Sequence, residues 1–501
     1  QRLHGQFYCK FNNIALNLNS RVLKFTCSRL NSLKFLAPPH LFFFLPIPLY
    51  VQFRFFIPVH SINDSHRKTK YCHIKDAKFQ LTFQCMALKR SQFPILADHM
   101  QTTIHKVIRA FPKTKADIDF LNSLEENPDI EVDFWARSRD IDIHVGPEDY
   151  QKLDSYLRRW NINYNIMNNN LQKSFEEEEK GHYRHSHGWH GTYRNYDEIM
   201  QKLNNFNNSL NTGRTKVVNI GNSYEKRNIL GLEISDGKGQ AGKQKIVVIC
   251  GQHAREWVSP ATCMYIMDNM ISKYGKDHNI TGMLDRFNWV FFPTVNPDGY
   301  VYTWEKDRMW RKNRQPNKKL SCHGTDLNRN WDYHFAGAGS SNNPCNDIYH
   351  GERAFSAPEV LALANYIKSL RGEIYSFIDL HSYSQLLMFP WSYSKKAEAK
   401  DKAELYEISV KAVDALRSVH GTVFKTGPAA VVIYEASGSA KDWVYGSMGV
   451  KYAFVFELRD RGKHGFVLPK EQIIPTADET FAALHSLSIN MKDYGNKKTS
   501  Y

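Results

Sequence analysis

The chain has 501 residues, of which 42% are hydrophobic, and it carries a formal net charge of +15 at pH 7. This length has room for two or three domains, and the hydrophobic share is that of an ordinary globular protein. The basic residues are scattered along the chain and belong to no nucleic-acid-binding motif. We therefore interpret the charge as a solvated basic surface and predict no nucleic-acid partner.

Residues 1–102 form an N-terminal extension without a regular pattern, which we leave unassigned and expect to be disordered or artefactual. Its most apolar stretch, Leu41 to Val59, is interrupted by prolines and an arginine. A membrane helix needs ~20 mostly apolar residues, so no membrane span is predicted. The stretch also has no small-residue cleavage site typical of a signal peptide.

Residues 103–180 switch between strand-like and helix-like patterns. Ile130, Val132 and Phe134 alternate with polar neighbours, as in a half-buried strand. Leu153 and Leu157 keep the spacing of one helix face. The complete order β-α-β-β-α-β predicts a small α+β domain with a ferredoxin-like fold.

The segment that follows is strongly charged. Like charges in the run Glu176–Glu179 repel one another, so we predict an exposed linker here and through residues 181–190. Lys180 and Arg184 make this linker cleavable by a trypsin-like protease, because nicking concentrates in exposed polar segments. Its histidines could bind a metal as a tract. A solvated linker is the preferred interpretation, because nothing fixes their geometry.

Residues 191–496 alternate strand and helix patterns as an α/β domain does. Buried strands are predicted at Lys245 to Cys250, Asn288 to Phe292, Tyr375 to Leu380 and Lys451 to Glu457. A segment of this length can form one large domain. We predict a mixed, largely parallel twisted sheet flanked by helices.

Four polar residues follow or end strands of this domain. His253 and Glu256 are three residues apart just beyond one strand, so one tight turn can aim both at a single point. His381 and Glu457 end two other strands, and sites in α/β sheets collect beyond such ends. Catalytic zinc takes three protein ligands, and a neighbouring carboxylate can accept a proton from water whose pKa the ion lowers. Each residue alone would be structural, but together they indicate a zinc site.

These residues stand in motifs that resemble those of zinc carboxypeptidases of the pancreatic A/B type, and residues 104–180 resemble the activation propeptide of such zymogens. The motifs occur in the family's order: His253–Trp257, Asn296–Tyr300, Met309–Lys312, Asp326–Trp331, His381–Gln385, Ile433–Gly438 and Phe456–Asp460. The resemblance therefore covers most of the chain beyond residue 100.

The resemblance implies a role for each residue. One Zn²⁺ is bound by His253, Glu256 and His381, with Glu457 as the base that activates water. Arg311 matches the cation that stabilises the oxyanion. The residues implied in recognising the substrate and its C-terminal carboxylate are Arg255, Asn328, Arg329, Tyr383 and Tyr434. Asp326 matches the carboxylate that orients a zinc-binding histidine.

Lys441 departs from the family pattern at the base of the specificity pocket. A-type enzymes carry an apolar residue there, and B-type enzymes carry an acidic one. A buried ammonium without a partner is costly, so we expect a preference for C-terminal Glu or Asp. The alternative is that Lys441 reaches solvent or pairs with a carboxylate such as Glu435, which leaves an A-like preference for apolar or aromatic residues.

The cysteines fit an oxidising compartment. The resemblance implies a disulfide between Cys322 and Cys345, and a second one between Cys250 and Cys263 as in B-type members. Disulfides of this kind are typical of secreted proteins. Three potential N-glycosylation sites are consistent with secretion: Asn63, Asn207 and Asn279.

The sequence thus predicts a secreted, monomeric zinc carboxypeptidase made as a zymogen. Its own propeptide inhibits it, a trypsin-like protease activates it, and it acts on the C-termini of peptides and proteins. A regulatory carboxypeptidase of the N/E type usually lacks this propeptide. An amidohydrolase of the aspartoacylase kind would not need the carboxylate clamp. A pseudoenzyme that captures C-terminal peptides would have lost the base or a ligand, and all of these residues are present.

Overall fold

The computed structural model describes residues 104–137, 139–181, 188–209, 213–317 and 321–492, with four two-residue strands nearer the N-terminus. Residues 1–89 are a unit of their own, in which Lys10–Phe11 pairs with Ile14–Ala15 and Ile57–Pro58 pairs with Tyr71–Cys72. The prediction for residues 1–102 otherwise lies outside the described residues. No helix in the described part of the chain has the length and apolarity that a membrane crossing requires.

A small domain begins with residue 106 and has four antiparallel strands in the order β2-β3-β1-β4. Its elements are β1 (Lys106–Phe111), α1 (Lys115–Ser123), a 3₁₀ turn (Leu124–Glu126), β2 (Val132–Arg137), β3 (Ile141–Val145), α2 (Pro147–Arg159) and β4 (Asn163–Asn168). Thr114 and Asp117 form a capping box that begins α1. The predicted ferredoxin-like fold is confirmed.

Helix α3 (Leu171–Gly181) follows β4 and contains the acidic run. The run is helical, and Glu176 and Glu177 are exposed as predicted, but the prediction is wrong for Glu178, because one face of the helix packs against the large domain. Leu171 is buried, Phe175 is partly buried, and Glu178 is only 6% exposed. Their spacing of four and three residues puts all three on one face. Residues 182–187, including the predicted cleavage site Arg184, lie outside the described residues.

The large domain is built on a mixed eight-stranded sheet with the order β11-β10-β12-β9-β7-β8-β6-β5. The strands are β5 (Thr215–Asn222), β6 (Asn228–Ile234), β7 (Lys245–Cys250), β8 (Asn288–Phe292), β9 (Ile374–His381), β10 (Leu386–Phe389), β11 (Lys425–Pro428) and β12 (Tyr452–Glu457). Four neighbouring pairs are parallel, including β7 with β9 and β9 with β12, and three are antiparallel. The predicted mixed, largely parallel sheet is confirmed.

Helices cover both faces of this sheet, so its central strands are buried on both sides. Along β7, Ile246 and Val248 pack into one apolar core, whereas Val247 and Ile249 pack into the other. This is why the strand is a continuous apolar run instead of an alternating one. The helices are α4 (Tyr196–Ser209), α5 (Val258–Lys273), α6 (His278–Arg286), α7 (Pro297–Glu305), α8 (Pro358–Ser369), α9 (Lys402–His420), α10 (Ala429–Val432), α11 (Ala440–Gly446) and α12 (Ile473–Asn490), with 3₁₀ turns at Gly188–Gly191, Leu327–Arg329 and Lys470–Gln472.

Candidate active site

The first two candidate ligands lie in a tight turn directly after β7. Gly251 has a φ of +67°, a left-handed conformation that redirects the chain as the strand ends. The backbone N–H of Ala254 donates to the carbonyl of Arg311 at 3.0 Å and fixes the turn. The Nδ1 atom of His253 lies 2.7 Å from Oε1 of Glu256. The turn therefore aims both side chains at one point.

The third candidate ligand, His381, is the last residue of the parallel strand β9. Its Nδ1 atom lies 3.1 Å from Nδ1 of His253 and 2.9 Å from Oε2 of Glu256. In a tetrahedral zinc site with bonds of about 2.0–2.1 Å, ligand atoms stand about 3.3 Å apart. The three buried residues therefore fit a zinc ion, and among the described residues they are the one such group found.

Buried carboxylates hold the far side of both imidazoles. His253 Nε2 lies 3.1 Å from Oδ1 of Asp326, and His381 Nε2 lies 2.9 Å from Oδ2 of Asp379. Such partners fix the tautomer and orientation of metal-binding histidines. Asp379 was not predicted. The sequence feature that could have indicated Asp379 is the Asp-x-His spacing, which puts both side chains on one face of a strand.

Glu457 ends the neighbouring strand β12 and is the direct register partner of His381. Adjacent strands lie about 4.8 Å apart, so the two side chains leave the sheet side by side. Burial raises the pKa of Glu457 to about 8. Within the described part of the chain its carboxyl group has no hydrogen bond or ion pair, and the nearby charges of His381 and Arg311 only partly oppose the shift. Such a group can take up and release a proton near neutral pH.

Asp326 also connects the ligand set to Arg311. Its Oδ2 atom accepts from Nε and Nη2 of Arg311 at 3.1 and 2.9 Å. Burial would raise the pKa of Asp326, but the charges of Arg311 and His253 hold it well below its usual range. One carboxylate therefore positions both a candidate zinc ligand and the predicted oxyanion-binding cation.

The predicted carboxylate clamp lies on the 3₁₀ turn that Asp326 caps. The Nδ2 atom of Asn328 is 3.1 Å from Nε2 of His381, and Nε of Arg329 donates to a backbone carbonyl at 2.7 Å. The guanidinium carbon of Arg329 lies 5.9 Å from the ring centre of Tyr434. Gly438 lets the Tyr434 loop pack here, because a Cβ at its φ of +69° would collide with the carbonyl of Arg329.

Lys441 is buried in α11 and has a carboxylate partner. Its Nζ atom lies 2.6 Å from Oδ1 of Asp442, which also accepts from the backbone N–H groups of Ser392 and Tyr393. Burial lowers the pKa of Lys441, and Asp442 opposes this shift. The ammonium is therefore paired, as the alternative prediction required, but not by Glu435, which accepts from the backbone of Lys395.

The other two predicted substrate-binding residues contact the small domain. Nη1 of Arg255 lies 2.7 Å from Oδ2 of Asp133, and the hydroxyl of Tyr383 donates to Oδ2 of Asp142 at 2.6 Å. Asp142 is held in turn by two hydrogen bonds from Arg109. Strands β2 and β3 thus place a carboxylate on each of these residues.

Glu178 adds a third such contact from α3. Its carboxylate accepts from Nε and Nη2 of Arg308 at 2.7 and 3.0 Å, and this guanidinium stacks over the ring of Trp257 at 3.7 Å. Trp135 packs against Phe466 with ring centres 5.0 Å apart. The small domain and α3 together cover this side of the site.

One of the two predicted disulfides is present and the other is not. Cys322 and Cys345 form a disulfide, with their Cα atoms 5.1 Å apart. Cys250 and Cys263 are free thiols, so the second predicted disulfide is not present. Both are fully buried in the apolar core, where burial raises the pKa of Cys250 well above its usual value and keeps the thiol protonated.

A buried His–Glu–His set with oriented imidazoles and a neighbouring carboxyl group is the arrangement of a zinc hydrolase. Residues 199–483 match the zinc carboxypeptidase family, and residues 108–178 match the carboxypeptidase activation peptide. The chain belongs to the zinc carboxypeptidase family and carries its activation peptide. It is therefore a peptide hydrolase of the metallocarboxypeptidase class.

Relatives of both pancreatic types match over most of the chain. Carboxypeptidase A2 of Mus musculus is 39% identical over 399 residues, covering 78% of this chain and 94% of its own. Carboxypeptidase B of Bos taurus is 36% identical over 390 residues, covering 76% and 91%. The crystal structure of thrombin activatable fibrinolysis inhibitor superposes with a TM-score of 0.72 at 32% identity, covering 77% of this chain and 99% of that one.

Proposed function

We propose that the chain is a secreted zymogen whose activated form removes C-terminal residues from peptides, with a preference for acidic ones. The observation that carries the catalytic assignment is the convergence of His253, Glu256 and His381 beside Glu457 on the next strand. Secretion is supported by the disulfide between Cys322 and Cys345.

His253 and His381, each through Nδ1, and the Glu256 carboxylate would hold the zinc ion. Zinc supplies Lewis acidity there, which polarises a peptide carbonyl and lowers the pKa of water. Glu457 acts as the general base: it takes a proton from the attacking water and passes it to the leaving amine. Its partly buried position keeps the proton near the reaction instead of losing it to bulk solvent.

Arg311 faces the developing negative charge on the carbonyl oxygen. Its guanidinium is buried and fixed by Asp326, so little reorganisation is needed as the charge appears. Arg329 and Asn328 bind the C-terminal carboxylate of the substrate, and Tyr434 closes over it. Within the described part of the chain, Nη2 of Arg329 has no acceptor, so a donor is available for this carboxylate.

The proposed preference for acidic C-terminal residues rests on Lys441. The ion pair with Asp442 weakens this preference, because it neutralises part of the ammonium charge. An ammonium group has three donors, and the described residues supply one acceptor, Asp442. Asp442 is also engaged by two backbone N–H groups, which spread part of its negative charge. A substrate carboxylate can therefore use the remaining donors of Lys441, although Asp442 repels it at short range.

We expect Lys441→Met to lower kcat/KM for a peptide ending in Glu by about 30-fold, the lower end of the cost of truncating a buried charge partner. Cleavage of a peptide ending in Phe should change little or improve. The measurement compares matched peptides ending in Glu, Phe and Arg with activated wild type and variant. Lys395→Met, at an exposed lysine, is the control. Wild-type enzyme that prefers Phe or Arg by tenfold would contradict the acidic preference.

Metal removal tests the enzyme assignment as a whole. Hydrolysis of a blocked dipeptide should cease on treatment with a zinc chelator and return on addition of one equivalent of Zn²⁺, because the three ligands form a single site. Zinc content and rate are measured on the same samples. Hydrolysis that persists after the zinc is gone would rule out the proposed mechanism.

Activation is proposed to follow a cut between Lys180 and Arg184 by a trypsin-like protease. The backbone of α3 ends at Gly181, and the large domain is described again from Gly188. Before the cut, Asp133 and Asp142 of the activation peptide contact Arg255 and Tyr383, two proposed substrate-binding residues. While the activation peptide occupies Arg255 and Tyr383, substrate cannot bind to these residues, and this accounts for inhibition by the peptide.

A further inference from the structure

Two carboxylates from different domains meet on one nitrogen of Arg255. Oδ2 of Asp133, on strand β2 of the activation peptide, lies 2.7 Å from Nη1 of Arg255. Oδ2 of Asp347, in the catalytic domain, lies 3.3 Å from the same atom. The side chain of Arg255 is only 1% exposed, so this charge is not shared with bulk water. One cation therefore faces two negative groups.

This arrangement favours a proton on one of the two carboxylates, because like charges at a shared site do not both ionise freely. Partial burial and the charge of Asp133 raise the pKa of Asp347 to about 6, with the Asp347 side chain still 36% exposed. For Asp133, burial is outweighed by Arg255 and His144, which hold the pKa of this carboxyl below its usual range. The proton is therefore taken up by Asp347.

The other groups around the pair do not change this assignment. Lys312 and Arg311 face Asp347 from the catalytic domain and remain there without the activation peptide. On the peptide side, His144 lies 3.7 Å from Asp133, and His105 lies 3.0 Å from His144. Burial and His144 lower the pKa of His105, and Asp307 of the catalytic domain opposes this shift, so the Asp347→Asn variant is needed to separate the two titrations. A further contact on Asp133 is internal to the peptide, a hydrogen bond from Trp135 Nε1. Asp133 is thus the charge that docking brings to Asp347.

We propose that docking of the activation peptide is coupled to protonation of Asp347, so that the peptide is held more tightly in acid and released more readily as the pH rises. The sign follows from linkage. A carboxyl group whose pKa is higher in the docked state takes up a proton on docking. Docking is then strongest below the undocked pKa and weakens as the pH rises through about 6. The inference rests on the inhibitory role of the activation peptide.

The test measures how tightly the severed peptide stays bound. The full-chain zymogen is nicked with trypsin, and bound and separated peptide are quantified by native mass spectrometry and size-exclusion chromatography at pH 5.5 and 7.5. The dissociation constant should rise about fourfold between these values, as a docked pKa of about 6 implies. Separation of fragments is the readout, so failure of the proposed catalytic roles would not affect it.

Two variants are expected to act in opposite directions. Asp347→Asn imitates the protonated group, so it should tighten docking at pH 7.5 by up to ~100-fold, the ratio set by a docked pKa of about 6 and an ordinary undocked pKa of ~3.9, and reduce the difference between the two pH values. Asp133→Asn should weaken docking at both pH values, because it removes the charge that pairs with Arg255. Asp332→Asn, at an exposed position, is the matched control. If Asp347→Asn weakens docking or leaves the pH dependence unchanged, the proposal is wrong.

Discussion

Replacing Glu457 with Gln is expected to lower kcat of the activated enzyme by about 10²–10⁴-fold, the usual contribution of a general base. The amide has nearly the same shape but cannot take a proton from water. Glu457 is not one of the three converging ligands, so the variant should still bind one zinc ion. The measurement is hydrolysis of a blocked dipeptide together with zinc content and thermal stability.

Glu398→Gln provides the control, because its side chain is 72% exposed on the surface. A Glu457→Gln enzyme that kept more than a tenth of the wild-type kcat would remove Glu457 from the base role. Wild-type protein that binds zinc and C-terminal peptides without any turnover would instead indicate a pseudoenzyme. The two outcomes are distinguishable, because the first is measured on the Glu457→Gln variant and the second on the wild-type protein.

Replacing Arg329 with Met should lower kcat/KM about 100-fold for substrates with a free C-terminal carboxylate. Removing one partner of a buried charge pair costs about 2–5 kcal/mol, and about 100-fold corresponds to ~2.7 kcal/mol, in the lower part of that range. Arg329 is 3% exposed, so its interaction with a bound carboxylate is little screened by water. The loss should appear mainly in KM, because the clamp binds a part of the substrate that does not react.

The same experiment with C-terminally amidated peptides separates recognition from damage to the fold. Wild-type enzyme should lose most of its activity on the amide, and Arg329→Met should add little to that loss, because both changes remove the same interaction. Arg371→Met, at an exposed arginine, should leave both substrates unaffected. Equal losses on the acid and the amide would assign Arg329 a structural role only.

The central sheet and the converging ligands could be predicted because their signals are local. The strands ending at Cys250 and Glu457 are continuous apolar runs, and the strand ending at His381 is mostly apolar. Parallel strands bring such ends to one edge. The Asp-x-His pair of Asp379 and His381 was also readable, through the two-residue period of a strand. The sequence alone did not show that Asp379 is the buried carboxylate partner of His381 Nε2.

Other features depend on contacts that no local pattern encodes. The acidic run in α3 looked solvated, because the charge repulsion is visible in the sequence and the distant Arg308 that compensates Glu178 is not. Strands β10 and β11 have four residues each, too few for a periodic signal. The partner of Lys441 is its chain neighbour Asp442 and not the predicted Glu435, because which of the nearby carboxylates the ammonium reaches depends on how α11 packs.

The pairing of His381 with Glu457 across β9 and β12 has a consequence for redesign. His381 and Glu457 belong to the hydrogen-bonded sheet, whereas Tyr434 and Lys441 lie between residues 429 and 446, outside its strands. Exchanging that segment for its counterpart from a relative should transfer side-chain selectivity while leaving the intrinsic reactivity of the centre intact. We therefore expect that selectivity can be changed in this enzyme without changing the reactivity of the centre.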